Sequence, residues 1–388
     1  MNAHPAQPPL QGPPHRCWAE VDLGALERNI GKVRAALPQG VRYVAVVKAD
    51  AYGHGALPTV TRLMQSGVEA FAVANAGEGA SIREVGVGWP ILILGPTLPF
   101  EDGAVLANDL TVTLSTLEEA RRFDALGQSA GQRIRCHLKV DTGMGRMGVW
   151  HEAAGPMIEA LASLPHLDVE GIYTHFSSAD TDPAFTEEQR RRFRAVVAQV
   201  RRWHQGPLVI HADNSAGLHG FDAVNGFNAV RIGLLQFGHQ PGPGSLLAGL
   251  APEPVLSFRA RVGLVKALPA GAPISYGQTH RLARDSRVAV LTVGYGDGLP
   301  TAASNRGQGL IRGQACPILG RVTMDQTMVD ASEVPGVTPG DVATLIGRDG
   351  AASIDVTAFA KDSWSVPWEA LCAISKRVRR VYQQPRFG

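Results

Sequence analysis

The segment VAVVKADAYGHGA, residues 44–56, ends an apolar run on Lys48 and follows it with Tyr52, Gly53, His54 and Gly55. A desolvated lysine loses its proton more readily, and the free amine attacks carbonyls to make Schiff bases. A lysine at a strand end can equally snorkel to solvent on its apolar stem. Here a phenol, a flexible backbone and an imidazole follow at once, which fits a strand entering a ligand-binding loop. Arg231, in NAVRIG, is a second charge inside an apolar run and needs a partner, while Gly233 behind it permits close backbone approach. In KVDTGMGRMG, residues 139–148, a glycine-rich loop presents Arg146, whose guanidinium can donate to a phenolate-like oxygen or simply sit in solvent. His175, in YTHFSSAD, ends a strand and reads alone as a satisfied core histidine. Asn214 and Ser215, in HADNSAG, precede a helical stretch, where hydroxyl and N–H groups can bind a phosphate or serve as an ordinary N-cap. Further on, ISYGQTH presents Tyr276, GYGDG presents Tyr295 and Asp297, and GRVTMDQTMVD presents Met324 and Asp325; each alone reads as a turn.

Two motifs are decoys. Gly143, Gly145 and Gly148 spell GxGxxG after a strand, with Asp168 twenty residues on, as in a dinucleotide fingerprint. The match falls after the fifth strand candidate, whereas that fold places it at the first βα turn, and it leaves Lys48 idle. Asp141, Thr142 and Gly143 spell the aspartic-protease triplet, but that chemistry needs a second such carboxylate.

Strand-like runs at 43–48, 70–74, 90–94, 110–114, 134–140, 168–175, 208–212 and 229–232 alternate with helical periodicity at 56–65, 117–125, 153–163 and 186–204. Eight strand-helix units in about 200 residues predict a closed (β/α)₈ barrel, with an open doubly wound sheet as the rival. The barrel requires functional residues just after strand ends, and Lys48, Arg146, His175, Asn214, Ser215 and Arg231 all fall at or shortly after them. Residues 1–15 are rich in proline and alanine and predict a mobile tail; 16–241 form the barrel domain, with the opening strand CWAEVDL free to join the second domain. From 242 to 388 proline and glycine become frequent and short β runs appear at 259–265, 288–293 and 342–346, predicting a mainly β domain reached through PGPGSLLAGLAPEP.

The 388 residues suit two domains. The 37 basic and 35 acidic residues nearly cancel, which argues against a nucleic-acid or anionic-membrane partner and for small-molecule ligands. Cys17, Cys136, Cys316 and Cys372 are too few and scattered for a disulfide framework or a zinc site, so reduced thiols in a cytoplasmic protein without a metal are expected. The start lacks the basic and apolar regions of a signal peptide, and no stretch reaches the roughly 18 apolar residues of a membrane span.

Taken together, AVVKADAYGHG, KVDTGMGRMG, YTHFSSAD, NSAG, VRIG, SYG, GYGDG, GRVTMDQTMVD and CAISKRV occur in one order from Trp18 to Tyr382, and this collinear set resembles alanine racemase, a bacterial pyridoxal-phosphate family. The resemblance implies interconversion of L-alanine and D-alanine, supplying D-alanine for peptidoglycan, with a broad-specificity or serine racemase of the same family as the alternative. It implies pyridoxal phosphate held on Lys48 as an electron sink that makes an α-proton removable. Two bases then face the planar carbon from opposite sides: Lys48, and Tyr276 reaching in from the second subunit of a homodimer that shares its active sites. His175 and Arg231 match a tyrosine–histidine–arginine relay, and Arg231 also matches the residue facing the pyridine nitrogen. A guanidinium there stays protonated, so the ring withdraws electrons less strongly and side reactions are fewer. Tyr52, Ser215, Gly233 and Leu234 match the phosphate cradle, Asn214 its neighbour supporting the relay, and Arg146 the contact to the phenolic oxygen. Met324 and Tyr295 match a substrate-carboxylate contact and a gate; Lys139 matches a lysine that is carbamylated in some members. Two departures stand out: Thr323 replaces a common cysteine, and Trp368 replaces a phosphate-binding tyrosine.

Overall fold

The computed structural model describes residues 13–221, 226–239 and 248–384. Most of the expected tail, residues 1–12, and the first half of the expected link, 241–247, lie outside the described residues. Within them the chain divides into two compact units, one of residues 25–253 and one that joins the N-terminal residues up to Gly24 to everything from Pro254 onward.

In the first unit eight parallel strands run in the order Ile91–Ile93, Ala70–Val73, Arg42–Val46, Ala229–Ile232, Val209–His211, Leu167–Tyr173, Ile134–Asp141, Val112–Leu114. A parallel bridge between Leu92 and Thr111 joins the two ends of that order, so the sheet is a barrel and the doubly wound alternative is excluded. Alternation along the strands sends every second side chain inward. Val44, Val46, Ala72, Leu92 and Ala229 pack as one apolar cluster, each large member contributing about 1.5–3 kcal/mol by burial. On the facing strands the corresponding positions carry Thr113, His137, Lys139, Tyr173 and His211, and Arg231 lies two residues beyond Ala229 on its own strand, all buried. One half of the barrel interior is therefore apolar and the other polar.

Helix boundaries follow local chemistry. The helix expected at 186–204 runs Pro183–Val200, because Asp182 caps the Phe185 N–H (2.9 Å) and Pro183 takes the first turn. The helix Leu117–Ala130 starts on a capping box between Thr116 and Glu119. Behind Ser215 the expected helical stretch is only a short 3₁₀ turn, Gly217–Gly220, since two glycines in four residues disfavour propagation.

The second unit is mainly β. Its 13-residue strand Leu256–Leu268 pairs antiparallel with the opening strand Cys17–Asp22, which also runs parallel to Arg379–Gln383. Trp18 is fully buried there, with the Arg261 guanidinium 5.1 Å above its ring. Residues 13–15, expected to belong to a mobile tail, are held: Arg261 donates to the carbonyls of Pro13 (2.7 Å) and His15 (3.4 Å). Among the described residues no helix is long and apolar enough to cross a membrane.

Candidate active site

Lys48 follows the first barrel strand, half-buried, and the chain then does something no residue pattern announced. Ala49, Asp50, Ala51 and Tyr52 all have φ between 52° and 54°, a full left-handed turn of non-glycine residues. Such a conformation costs about 1–2 kcal/mol per residue and persists only where its surroundings enforce it. Glu78, in the first turn of the helix Ala76–Val85 behind the second barrel strand, accepts from the Ala49 N–H (2.8 Å) and from the Ala74 N–H (2.8 Å), tying two strand ends together. Asp50 accepts from the Ala56 N–H (2.6 Å) and so caps the helix that follows. The turn carries Tyr52 toward the eighth strand end: a Cβ on Gly233 would stand 2.6 Å from the Tyr52 hydroxyl. Ser215 Oγ accepts from the Gly233 N–H (3.1 Å) and lies 3.5 Å from the Leu235 nitrogen, leaving its hydroxyl proton to point elsewhere. Tyr52, Ser215, Gly233 and Leu234 are thus brought together as a small polar cradle that only glycine at 233 leaves open. Ser215→Ala should lower the stability of this unit by about 1–2 kcal/mol by stranding a buried N–H, read as a lower urea midpoint. Asn214 does the plainer job, accepting from the Gly217 N–H (2.7 Å).

Arg231 lies at the centre. Its Nη1 donates to His211 Nδ1 (2.9 Å) and the His211 carbonyl (3.2 Å); Nη2 donates to the carbonyls of Thr174 (2.8 Å) and Ala212 (2.9 Å) and to His175 Nδ1 (3.2 Å). Among the described residues no acceptor takes its Nε–H. Burial lowers Arg231 to about 10, so it stays a cation at neutral pH. His175 is driven well below its ordinary value by burial and then by the charges of Arg231, Lys139, Arg146 and Lys48. It is a neutral imidazole, and because a guanidinium can only donate, the proton of His175 sits on Nε2.

Lys139 is buried with its amine 5.1 Å from the Tyr173 ring centroid, and the Arg231 guanidinium is also 5.1 Å from that ring. Burial, followed by repulsion from Arg231, lowers its amine to about 7 against the opposing pull of Asp141. The GxGxxG loop that follows is already occupied: the Asp141 carboxylate accepts from the backbone N–H groups of Gly143 (2.9 Å), Met144 (2.9 Å) and Gly145 (3.0 Å). Those amides cannot also cradle a pyrophosphate, and their role is to fold the loop that presents Arg146 in exposed position. Gly148 returns the loop at φ +106, where a Cβ would press on Lys139 and the Asp141 nitrogen.

The remaining candidates belong to the other unit. Tyr276 is 72% exposed on a corner whose flanking Ser275 (φ 61°, ψ −176°) and Gln278 (φ 49°) are both strained, with Ser275 Oγ anchored on the Arg321 carbonyl (2.7 Å). The Tyr295 and Met324 turns are locked together, Tyr295 N–H on the Thr323 carbonyl (3.0 Å) and Gly296 N–H on that of Met324 (2.9 Å). A Cβ at Gly294 would collide with both carbonyls. Arg377 bridges Asp297 (2.7 Å) and Asp325 (2.8 Å) beneath them. Trp368 is exposed on the helix Pro367–Ala373. Sequence reasoning passed over Glu78, His211 and His137; nothing in their spacing marks them, since they act through strands distant in sequence.

Residues 21–241 match the alanine racemase N-terminal domain and 255–382 the alanine racemase C-terminal domain. The chain is 41% identical to the alanine racemase of Symbiobacterium thermophilum over 94% of this chain and 96% of that one. It is 39% identical to that of Halothermothrix orenii over 96% and 98%. A solved alanine racemase of Clostridium difficile superposes with a TM-score of 0.89 at 31% identity, covering 96% of this chain and 97% of that one. One from Bartonella henselae, with covalently bound pyridoxal phosphate, superposes at 0.85 and 25% identity, covering 95% and 100%. With both domains matched in order, and a barrel whose strand ends gather a lysine, a neutral histidine and an arginine bonded through both terminal nitrogens, the chain belongs to the alanine racemase family.

Proposed function

We propose that this protein is a pyridoxal-phosphate-dependent alanine racemase that interconverts L-alanine and D-alanine. The observation that carries the reading is Arg231, bonded through both terminal nitrogens yet presenting an Nε–H with no protein acceptor among the described residues. That N–H suits the unprotonated ring nitrogen of the cofactor. The cradle left open by Gly233 suits its phosphate, with Tyr52 and Ser215 as hydroxyl donors and the backbone at Gly233 and Leu234 lining it. Arg146 would meet the phenolic oxygen, with Asn214 and Trp368 as supporting contacts. The cofactor withdraws electrons from the α-carbon of a bound amino acid and so makes its proton removable.

The chain's own residues do the rest. Lys48 moves the proton on one face and Tyr276, from the second copy of a homodimer, on the other. A tyrosine of ordinary pKa about 10 is a poor base, and bringing it to neutrality requires about 4 kcal/mol. The Nε2–H of His175, fixed there by Arg231, can donate to the phenolate, and a hydrogen bond to a charged group contributes about 1.5–3 kcal/mol. The guanidiniums of Arg231 and Arg146 supply positive potential for the remainder. Met324 would contact the substrate carboxylate and Tyr295 gate the entrance.

Lys139 should carry a carbamate. Its amine is half deprotonated near neutrality, the state that adds carbon dioxide, and the product anion would relieve the crowding of cations around Tyr173. With ¹³C-bicarbonate the holoenzyme should show a carbamate carbon resonance that Lys139→Ala abolishes; an identical resonance in that variant removes the assignment. Without carbamylation, the lowered amine makes stability rise with pH between about 7 and the ordinary lysine value of 10.5, because in that window the unfolded chain binds more protons than the folded one.

The deciding experiment is a racemisation screen of L-amino acids with the purified, yellow holoenzyme. Alanine turned over well ahead of the rest supports the reading. Comparable rates with serine or many side chains support a serine or broad-specificity racemase, and a colourless protein yielding no pyridoxal phosphate overturns it. Cytoplasmic supply of D-alanine for peptidoglycan fits this activity and the four free thiols.

A further inference from the structure

Arg231 is held from behind by groups that the proton-transfer scheme does not use. His211 Nδ1 accepts from Arg231 Nη1 (2.9 Å), and His211 Nε2 lies 2.8 Å from His137 Nδ1. A guanidinium has no acceptor, so the direction of every bond is forced: His211 must carry its proton on Nε2, donate it to His137 Nδ1, and leave His137 protonated on Nε2. That last N–H points toward Glu170, whose Oε1 is 3.8 Å away and accepts from Thr111 Oγ1 (2.8 Å). The order of donation runs one way, from the guanidinium across the barrel interior.

The barrel is shaped around this chain. His137 and His211 sit on strands separated by a third, Leu167–Tyr173, and the His137 ring reaches across it over Gly171. A Cβ at Gly171 would lie 2.5–2.6 Å from three atoms of the imidazole. The pairing of the His137 strand with Leu167–Tyr173 also shifts register between Cys136 and His137, where the ring is set. His211 is clamped in plane by the Tyr173 ring, stacked at 4.8 Å and 10°, and the Tyr173 hydroxyl is held by Thr113 (2.8 Å). Two buried imidazoles cost stability unless bonded, and a single apolar pair would fill the same space.

We propose that His211 and His137 are positioning residues that set the rotation of the Arg231 guanidinium, and with it the aim of the Nε–H at the cofactor ring nitrogen. This rests on the functional reading above. If His137 offers no acceptor, the His211 Nε2–H is stranded in the interior and the other tautomer is favoured, which turns a donor against the Arg231 donor. The guanidinium must then rotate away. The charged groups facing the pair are Arg231, Lys139, Arg42 and Glu170, and burial together with the cations holds both rings neutral, His137 down at about 3.

The test has two arms. In cofactor-free protein labelled with ¹⁵N-histidine, long-range proton–nitrogen spectra should show both rings as neutral Nε2–H tautomers from about pH 5 to about pH 9, the signals assigned by their loss in His137→Asn and His211→Asn. In holoenzyme, a ring nitrogen no longer met by the guanidinium would be open to protonation and stronger electron withdrawal, so His137→Leu should raise the ratio of half-transamination (alanine and bound pyridoxal phosphate giving pyruvate and pyridoxamine phosphate) to racemisation by about tenfold, the effect of one stranded buried donor. His137→Asn, whose Oδ1 stands in for Nδ1, should restore the wild-type ratio. An imidazolium or an Nδ1–H tautomer in wild-type protein overturns the proposal, as does a ratio in His137→Leu that is unchanged or that His137→Asn fails to restore. If His137→Leu does not fold, the tautomer spectra decide. Wild-type protein that binds no pyridoxal phosphate overturns the functional reading beneath it instead.

Discussion

Lys48→Ala protein, purified in the presence of pyridoxal phosphate, is expected to be colourless after borohydride treatment and denaturation, and to racemise alanine about 10⁴-fold more slowly than wild type. On the proposed reading the variant would remove the covalent anchor and one of the two bases together. The cradle of Tyr52, Ser215 and Gly233 remains, and so does the positive field of Arg231 and Arg146, so the protein should still bind the cofactor reversibly through its phosphate. Lys48→Ala thus separates binding from attachment. A variant that keeps covalent label at another lysine, or activity within about tenfold of wild type, assigns the anchor elsewhere. The left-handed turn from Ala49 to Tyr52 makes the same point about precision: Glu78→Gln, which keeps the shape but weakens the clamp on the Ala49 N–H, is expected to misplace Lys48 without touching it.

Tyr276→Phe comes second in expected effect, at about 10²–10³-fold in turnover, the range for loss of one positioned acid–base group. Phenylalanine keeps the ring and loses the proton, and Tyr276 is already exposed on its strained corner, so folding should be little affected. Equilibrium ties the two directions together, so equal losses from L- and D-alanine carry no information about faces. Solvent deuterium incorporation, followed separately into recovered substrate and into product, does. Exchange without inversion should dominate in one enantiomer only; a wild-type pattern in the variant counts against two bases on opposite faces. Mixing Tyr276→Phe with Lys48→Ala chains should restore about a quarter of wild-type sites if each site draws one residue from each subunit.

Several sequence expectations were legible because they depend on short-range pattern. Strand ends, helix periodicity and the order of Lys48, Arg146, His175, Ser215 and Arg231 along the chain could all be read without coordinates, as could the barrel class. The boundary between units could not: it falls at Glu253–Pro254, because Asn29 bonds the carbonyl (2.8 Å) and N–H (2.7 Å) of Glu253 and holds that stretch to the barrel unit. Nor could the fate of GxGxxG, whose amides are taken by Asp141 through a loop closure that no motif encodes.

By itself the sequence determined which side chains are available, at which strand ends, and that a lysine and a tyrosine 228 positions apart could serve as bases. Tertiary structure decided their chemical states. His175 is neutral with its proton on Nε2, the unmodified Lys139 amine is lowered to about 7, and Arg231 is locked through both terminal nitrogens, because closing the barrel takes all three out of water and sets them against one another. Desolvation and the distances between charges on strands far apart in sequence fix a protonation state, and neither exists until the sheet closes.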